Sequence, residues 1–223
     1  MSESASASIR VVLVDDQELF RSGVRTVVDA QPDMLVVGEA ANGREAVALL
    51  RDVAADVVLM DIRMPVMDGV GATTAIFDDP TIDPKPRVIV LTTFSLDAAA
   101  VTAIRKGASG FLLKDATPAF LCGSIRAVHA GSAVLAPNEL SQLFSASVDR
   151  APRPPAPEAY RTLSAREVAV FTLAARGLSN AEIAAEQFVT ESTVKTQISS
   201  VLSKLGLRDR VQLVMFANDY RLS

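Results

Sequence analysis

The sequence predicts two domains of different class: an α/β domain built on a doubly wound, five-stranded parallel sheet, then a small all-α domain of four helices. Three observations predict this. Short apolar runs alternate with helical patterns over the first 131 residues, the order expected of parallel strands joined by crossover helices. Four prolines in the seven residues 151–157 interrupt every regular pattern. Proline fixes φ and removes a backbone donor, so this stretch is extended and cannot continue a helix. Beyond it the alternation stops and only helical patterns follow.

The strand runs are Val11–Val14, Met34–Val37, Val57–Met60, Val88–Leu91 and Phe111–Leu113. Each is short, nearly continuous and rich in Val, Ile and Leu, as suits strands covered on both faces. Between them, Phe20, Val24, Val27 and Val28 keep the i, i+4, i+7, i+8 spacing of an amphipathic helix, and Leu121, Ile125 and Val128 repeat it near the end. Gly69-Val70-Gly71 is half of a dinucleotide fingerprint without its third glycine, and follows Asp68 rather than a strand, so it reads as a helix start. Met60, Met64 and Met67 read as packing residues, and Asp78 through Pro86 as a solvated loop. Past the prolines, Ser164-x-x-Glu167 and Ser179-x-x-Glu182 are capping-box signatures, and Gly177 stands where a C-cap belongs. The first domain is therefore assigned to residues 1–131, with a disordered Ser/Ala-rich tail at 1–8. A linker takes 132–159, and the second domain takes 160–223.

Composition excludes several classes. Apolar residues make up 49% of the 223, enough for a packed core. No run of about 18 apolar residues exists, so no membrane helix is expected. The N-terminus lacks the basic and apolar regions of a signal peptide. Cys122 is the one cysteine and His129 the one histidine. That rules out an internal disulfide and a multi-cysteine metal site, and no nucleophile elbow accompanies the histidine. A cytoplasmic protein is expected. The net charge of −4 divides unevenly: residues 1–148 hold 12 basic and 18 acidic side chains, and residues 159–223 hold 8 and 6. The halves thus differ in sign, an acidic module ahead of a mildly basic one.

In open parallel sheets, ligands bind outside the carboxyl ends of the strands. There the first strand places Asp15 and Asp16, the third Asp61, the fourth Thr92 and the fifth Lys114. An aspartate after a strand is as often a turn former or helix cap as a functional group; five polar side chains at successive strand ends are not explained that way. Carboxylates suit a hard cation such as Mg²⁺, which offsets repulsion between Asp61 and an incoming phosphoryl group. Lys114 and Thr92 can then hold phosphoryl oxygens, with Asp61 as nucleophile.

In the second domain, Val194, Ile198, Val201, Leu202 and Leu205 fall on one helical arc. Ser192, Lys195, Thr196, Ser199 and Ser203 take the opposite arc, with Thr193, Gln197 and Ser200 on a flank. A Ser/Thr/Lys face suits phosphates and base edges better than a solvated face of mixed Glu and Lys does. A short helix at Asn180–Gln187, a turn at Phe188-Val189 and an N-cap at Thr190 give a helix-turn-helix layout.

The motifs Val11-Val12-Leu13-Val14-Asp15-Asp16, Met60-Asp61-Ile62-Arg63-Met64-Pro65, Leu91-Thr92-Thr93 and Gly110-Phe111-Leu112-Leu113-Lys114 resemble the flavodoxin-like receivers of bacterial two-component response regulators. Leu163-Ser164-Ala165-Arg166-Glu167, Gly177 through Ala184, Thr193-Val194-Lys195-Thr196 and Leu205-Gly206-Leu207 resemble the LuxR-type output domain of the NarL/FixJ subfamily. The resemblance implies that Asp61 accepts phosphate from a sensor histidine kinase. It implies Mg²⁺ held by Asp16, Asp61 and the backbone carbonyl of Arg63, with Asp15 acting through water, and a switch in which Thr92 moves and Phe111 turns inward. It implies that Lys195, Thr196 and Ser199 face bases or nearby backbone, and Thr193 and Gln197 phosphates, with Ser192 beside them at the helix start. It further implies that phosphorylation releases the helix-turn-helix and favours a homodimer on promoter DNA, in a protein that is not an enzyme beyond dephosphorylating itself. Gln197 departs from the family, many members having His there. Two other readings are a phosphorylation-independent DNA binder and a Mg²⁺-dependent aspartyl phosphatase. Such phosphatases place a second acid two residues after the nucleophile, where this chain has Arg63.

Overall fold

The computed structural model describes residues 8–93, 98–131 and 156–222. The expected tail at 1–7, most of the linker and Pro152, Pro154 and Pro155 lie outside the described residues. The chain divides into two compact units, Met1–Val134 and Leu135–Ser223.

In the first unit, strands β1 (Ile9–Val14), β2 (Met34–Ala40), β3 (Val57–Asp61), β4 (Arg87–Thr92) and β5 (Gly110–Leu113) form one sheet in the order β2-β1-β3-β4-β5. Every pairing is parallel. Helices α1 (Glu18–Asp29), α2 (Gly43–Asp52), α3 (Gly69–Asp78), α4 (Ala98–Arg105) and α5 (Pro118–His129) connect and cover the strands. Alternate strand residues, among them Val11, Leu13, Leu59, Ile89 and Leu112, form one core with Val24 and Val28 of α1 and Ile125 and Val128 of α5. The intervening Val12, Val14, Val58, Met60 and Val90 are buried as well. Both faces being covered is the reason the runs are continuous rather than alternating. Asp68 caps α3, its side chain accepting from the Gly71 N–H at 2.7 Å.

The loop after α3 is largely exposed, as expected, but it is anchored. Ile82 is buried, Asp79 accepts from both the N–H and the hydroxyl of Thr81, and Lys85 Nζ donates to the carbonyls of Ile76 and Asp79. A single anchoring Ile in a polar stretch has no periodicity to announce it.

The second unit holds α6 (Glu158–Arg161), α7 (Ala165–Ala175), α8 (Asn180–Gln187), α9 (Glu191–Leu205) and α10 (Arg210–Asp219). The one-turn α6 follows directly on Pro157, which stands at its N-cap, and is too short to show a period in the sequence. Both capping boxes form, at Ser164/Glu167 and Ser179/Glu182. Gly177 follows α7 at φ 90° and Gly206 ends α9 at φ 65°, a left-handed region glycine enters without steric cost. Phe171 is fully buried at the centre of the core. Tyr160 packs edge-on against it at 5.2 Å, and Phe216 at 6.2 Å. Val168 is half-buried and packs on this core. No helix among the described residues is long and apolar enough to cross a membrane.

Candidate functional site

The strand order makes β1, β3, β4 and β5 successive neighbours, so their carboxyl ends share one edge of the sheet. Asp15 and Asp16 follow β1, Asp61 ends β3, Thr92 ends β4 and Lys114 follows β5. Carboxylate oxygens of Asp15, Asp16 and Asp61 lie within 4.8 Å of one another. Lys114 Nζ stands 2.6 Å from Asp15 Oδ2 and 3.0 Å from Asp61 Oδ2, over the Phe20 ring at 4.9 Å. Its own N–H donates to the Thr92 carbonyl at 2.8 Å, which ties the two strand ends together.

Asp15 is 1% exposed and Asp61 4%, whereas Asp16 is exposed. Asp15 Oδ1 accepts from the Gln17 N–H at 2.9 Å. Its Oδ2 has Lys114 close by, but no donor aligned for a hydrogen bond. Burial pushes the Asp61 carboxyl above the usual carboxylate range and Asp15 adds to this; Lys114 and the Arg63 N–H pull it down without cancelling the effect. Burial alone would lower the Lys114 ammonium, but its contacts with Asp15 and Asp61 outweigh that and raise it. Three carboxylates against one ammonium leave excess negative charge in a poorly hydrated place, which a divalent cation would offset.

Phe111 is buried in β5, paired with Val90, and Thr92 is buried at the end of β4. Arg63 is exposed two residues beyond Asp61. Gly69 donates its N–H to the Ile62 carbonyl at 2.9 Å. A Cβ on Gly69 would overlap the Asp61 carbonyl oxygen and press on Ile62 Cα at 3.0 Å. The start of α3 is therefore seated on the backbone of the central aspartate, a place only glycine fits.

In the second unit, α8, the Phe188-Val189 turn and α9 have the helix-turn-helix arrangement, and Thr190 caps α9 by accepting from the Thr193 N–H. Val194, Ile198 and Val201 are buried. Ser192, Thr193, Lys195, Thr196 and Ser199 are exposed, and Gln197 is half-buried. Lys195 has no carboxylate within 4.0 Å among the described residues. Two hydroxyls already have local partners: Thr196 donates to the Ser192 carbonyl at 3.0 Å, and Thr193 pairs with Thr190 at 2.9 Å. Glu167 on α7 accepts from Ser200 at 2.7 Å and from Lys204 Nζ at 2.8 Å, both on α9. Arg210 of α10 donates to Asn180 Oδ1 at 3.0 Å and to the Leu178 carbonyl at the start of α8. The capping-box spacing singled out Glu167, but only as a cap; Arg210 had no signal.

A parallel-sheet unit with an acid trio and a lysine at its carboxyl edge, followed by a helix-turn-helix unit, is a receiver coupled to a DNA-binding output. Comparison bears this out. The response regulator receiver domain family matches residues 11–126, and the luxR family of bacterial regulatory proteins matches residues 161–217. The uncharacterized transcriptional regulatory protein YxjL of Bacillus subtilis (strain 168) is 39% identical over 209 residues, covering 94% of each chain. The response regulator VraR of Staphylococcus aureus is 37% identical over 215 residues, covering 96% of this chain and 99% of its own. The crystal structure of the response regulator ChrA, of a heme-sensing two-component system, aligns with a TM-score of 0.51 at 35% identity, covering 97% of this chain and 100% of that one. The chain belongs to the two-component transcriptional response regulators with a LuxR-type DNA-binding domain.

Proposed function

We propose that Asp61 is the phosphoacceptor through which a sensor histidine kinase in the cytoplasm controls promoter binding by α9. The observation that carries this is the convergence of Asp15, Asp16 and Asp61 within 4.8 Å, with Lys114 bridging two of them. An Asp61 carboxylate oxygen attacks the phosphorus of a phosphohistidine. The phosphorus–nitrogen bond breaks, and the imidazole keeps the electron pair and takes up a proton. Lys114, standing 3.0 Å from Asp61, is in place to hold a phosphoryl oxygen by a charge-assisted bond, and the Thr92 hydroxyl supplies a neutral one. An all-oxygen donor set with three carboxylates facing one ammonium fits Mg²⁺, which Asp15, Asp16, Asp61 and the Arg63 carbonyl would hold. Bound there, it supplies neutralisation of phosphoryl charge.

Thr92 and Phe111, on adjacent strands, form the switch that reports the state of Asp61. Ser192, Thr193, Lys195, Thr196, Gln197 and Ser199 contact double-stranded DNA. Thr196 contributes acceptor lone pairs and its methyl group, its hydroxyl proton being committed to the Ser192 carbonyl. A unit with so few positive charges binds DNA weakly alone, so a phosphorylated homodimer on a two-fold site supplies the affinity. Hydrolysis of the aspartyl phosphate by the protein itself resets it. Incubation with a small phosphodonor and Mg²⁺ labels the wild type and leaves Asp61→Asn unlabelled; equal labelling of the two would overturn the assignment.

A further inference from the structure

Asp15 contributes its backbone to the site as well as its carboxylate. Its N–H pairs with the Ala40 carbonyl at 3.1 Å, at the last residue of β2. The next N–H along that chain, from Ala41, goes to Glu45 Oε2 at 2.8 Å. The Asp15 carbonyl, in a residue buried from water, therefore needs a donor from elsewhere. Arg21, in the first turns of α1, provides it: Nη1 donates to that carbonyl at 2.6 Å. The Nε edge of the same guanidinium faces Glu39 Oε2 of β2 at 3.3 Å. Glu39 also accepts from Arg25, whose Nε is 3.3 Å from Asp29. The contacts of Arg25 and then Arg21 hold the Glu39 carboxyl below its usual range, so it stays ionised and keeps both guanidiniums oriented.

The chemistry of this chain is specific to arginine. A planar fork can bond a carbonyl with one arm and a carboxylate with another; a lysine ammonium on a flexible stem holds no such fixed pair of directions. Glu39 offsets the Arg21 charge, so the β1–α1 turn gains a rigid donor without an uncompensated cation beside three carboxylates. We propose that Arg21, braced by Glu39, is a positioning residue for the Asp15–Asp16 turn, setting the geometry in which these acids meet a divalent cation. This rests on the reading of the acid cluster as a Mg²⁺ site.

The test is a MgCl2 titration of the ¹⁵N-labelled full-length protein, followed at the amides of Asp16 and Gln17, with melting temperature recorded for each variant. If the wild type gives no localised shifts, the Mg²⁺ reading fails whatever Arg21 does. With binding in the wild type, Arg21→Ala raises the half-saturating MgCl2 about tenfold, the scale on which groups that orient metal ligands act. Arg21→Lys raises it about threefold, because one donor returns without the fork. Arg25→Ala removes a Glu39 contact without touching Asp15, and stays within about twofold of wild type. Arg21→Ala binding as tightly as wild type, or Arg25→Ala weakening binding as much, overturns the inference. Should Arg21→Ala fail to fold, Arg21→Lys decides: unchanged half-saturation refutes the positioning role.

Discussion

Replacing Phe171 with alanine tests whether the output unit stands on its own core. Phe171 is fully buried and meets Tyr160 and Phe216 edge-on. Phe→Ala in a packed core costs about 3–5 kcal/mol, and two edge-on ring contacts, each about 0.5–1.5 kcal/mol within that total, place this site near the upper end. A helical unit of roughly sixty residues is stable by only about 3–9 kcal/mol. A loss of about 4 kcal/mol thus removes nearly half of the upper figure and all of the lower. With a urea dependence of about 1–1.5 kcal/mol per molar, the midpoint falls by roughly 3 M. The chain supplies its own probe: it has no tryptophan and two tyrosines, Tyr160 and Tyr220. Tyr160 touches Phe171, and Tyr220 packs on Phe216 at 4.8 Å. Tyrosine emission therefore follows this unit alone, while phosphodonor labelling follows the receiver. Phe171→Ala should shift the emission transition and leave labelling at the wild-type rate. A midpoint shift under about 0.5 M would refute the packing estimate. Labelling lost in parallel would refute the independence of the two cores.

Gly69→Ala places a methyl group against the Asp61 carbonyl, and overpacking of this kind costs about 1–3 kcal/mol. The variant should lose receiver stability in hydrogen exchange and label far more slowly than wild type, whereas Gly23→Ala, with open space around its Cβ, should not. Contacts with Lys204 first, then the Ser164 N–H and Ser200, depress the Glu167 carboxyl from about 4.5 to about 2. The stability it contributes is complete above the higher value and is lost as pH falls toward the lower. Tyrosine-detected urea midpoints should drop between about pH 4.5 and 2 in wild type and less steeply in Glu167→Gln. Lys195→Ala should weaken promoter binding by about 1–3 kcal/mol in a gel-shift titration without moving the tyrosine transition, since Lys195 is exposed on α9.

Much of this was legible in the sequence because of how buried strands are written. Val57 through Met60 are all buried, and so are Val88 through Leu91. Such runs announce strands, and strands in βα order imply that Asp15, Asp61, Thr92 and Lys114 meet at one edge. Caps were legible for a similar reason: Ser164 and Ser179 bond residues three positions away, and that spacing shows along the chain. Contacts between elements do not show. Glu167 reaches Lys204 across 37 positions, and Arg21 reaches Glu39 across 18. Both depend on how helices and strands pack, which no local period records. The hydroxyl of Thr196 reads as a free donor on a helical wheel, yet its proton goes to Ser192 in its own helix.

The short α6 turn has a consequence for how the output unit is tethered. Tyr160 is clamped on Phe171, and its N–H returns to the Pro157 carbonyl at 2.9 Å. The polypeptide thus joins this unit at a fixed point and in a fixed direction, set by the core beneath it. Residues added or removed upstream of Pro157 alter the length of chain but not the attachment at its end. The core of this unit and the pose of α9 upon it are therefore indifferent to the length of chain that precedes Pro157, and a change there leaves the helix-turn-helix as it is.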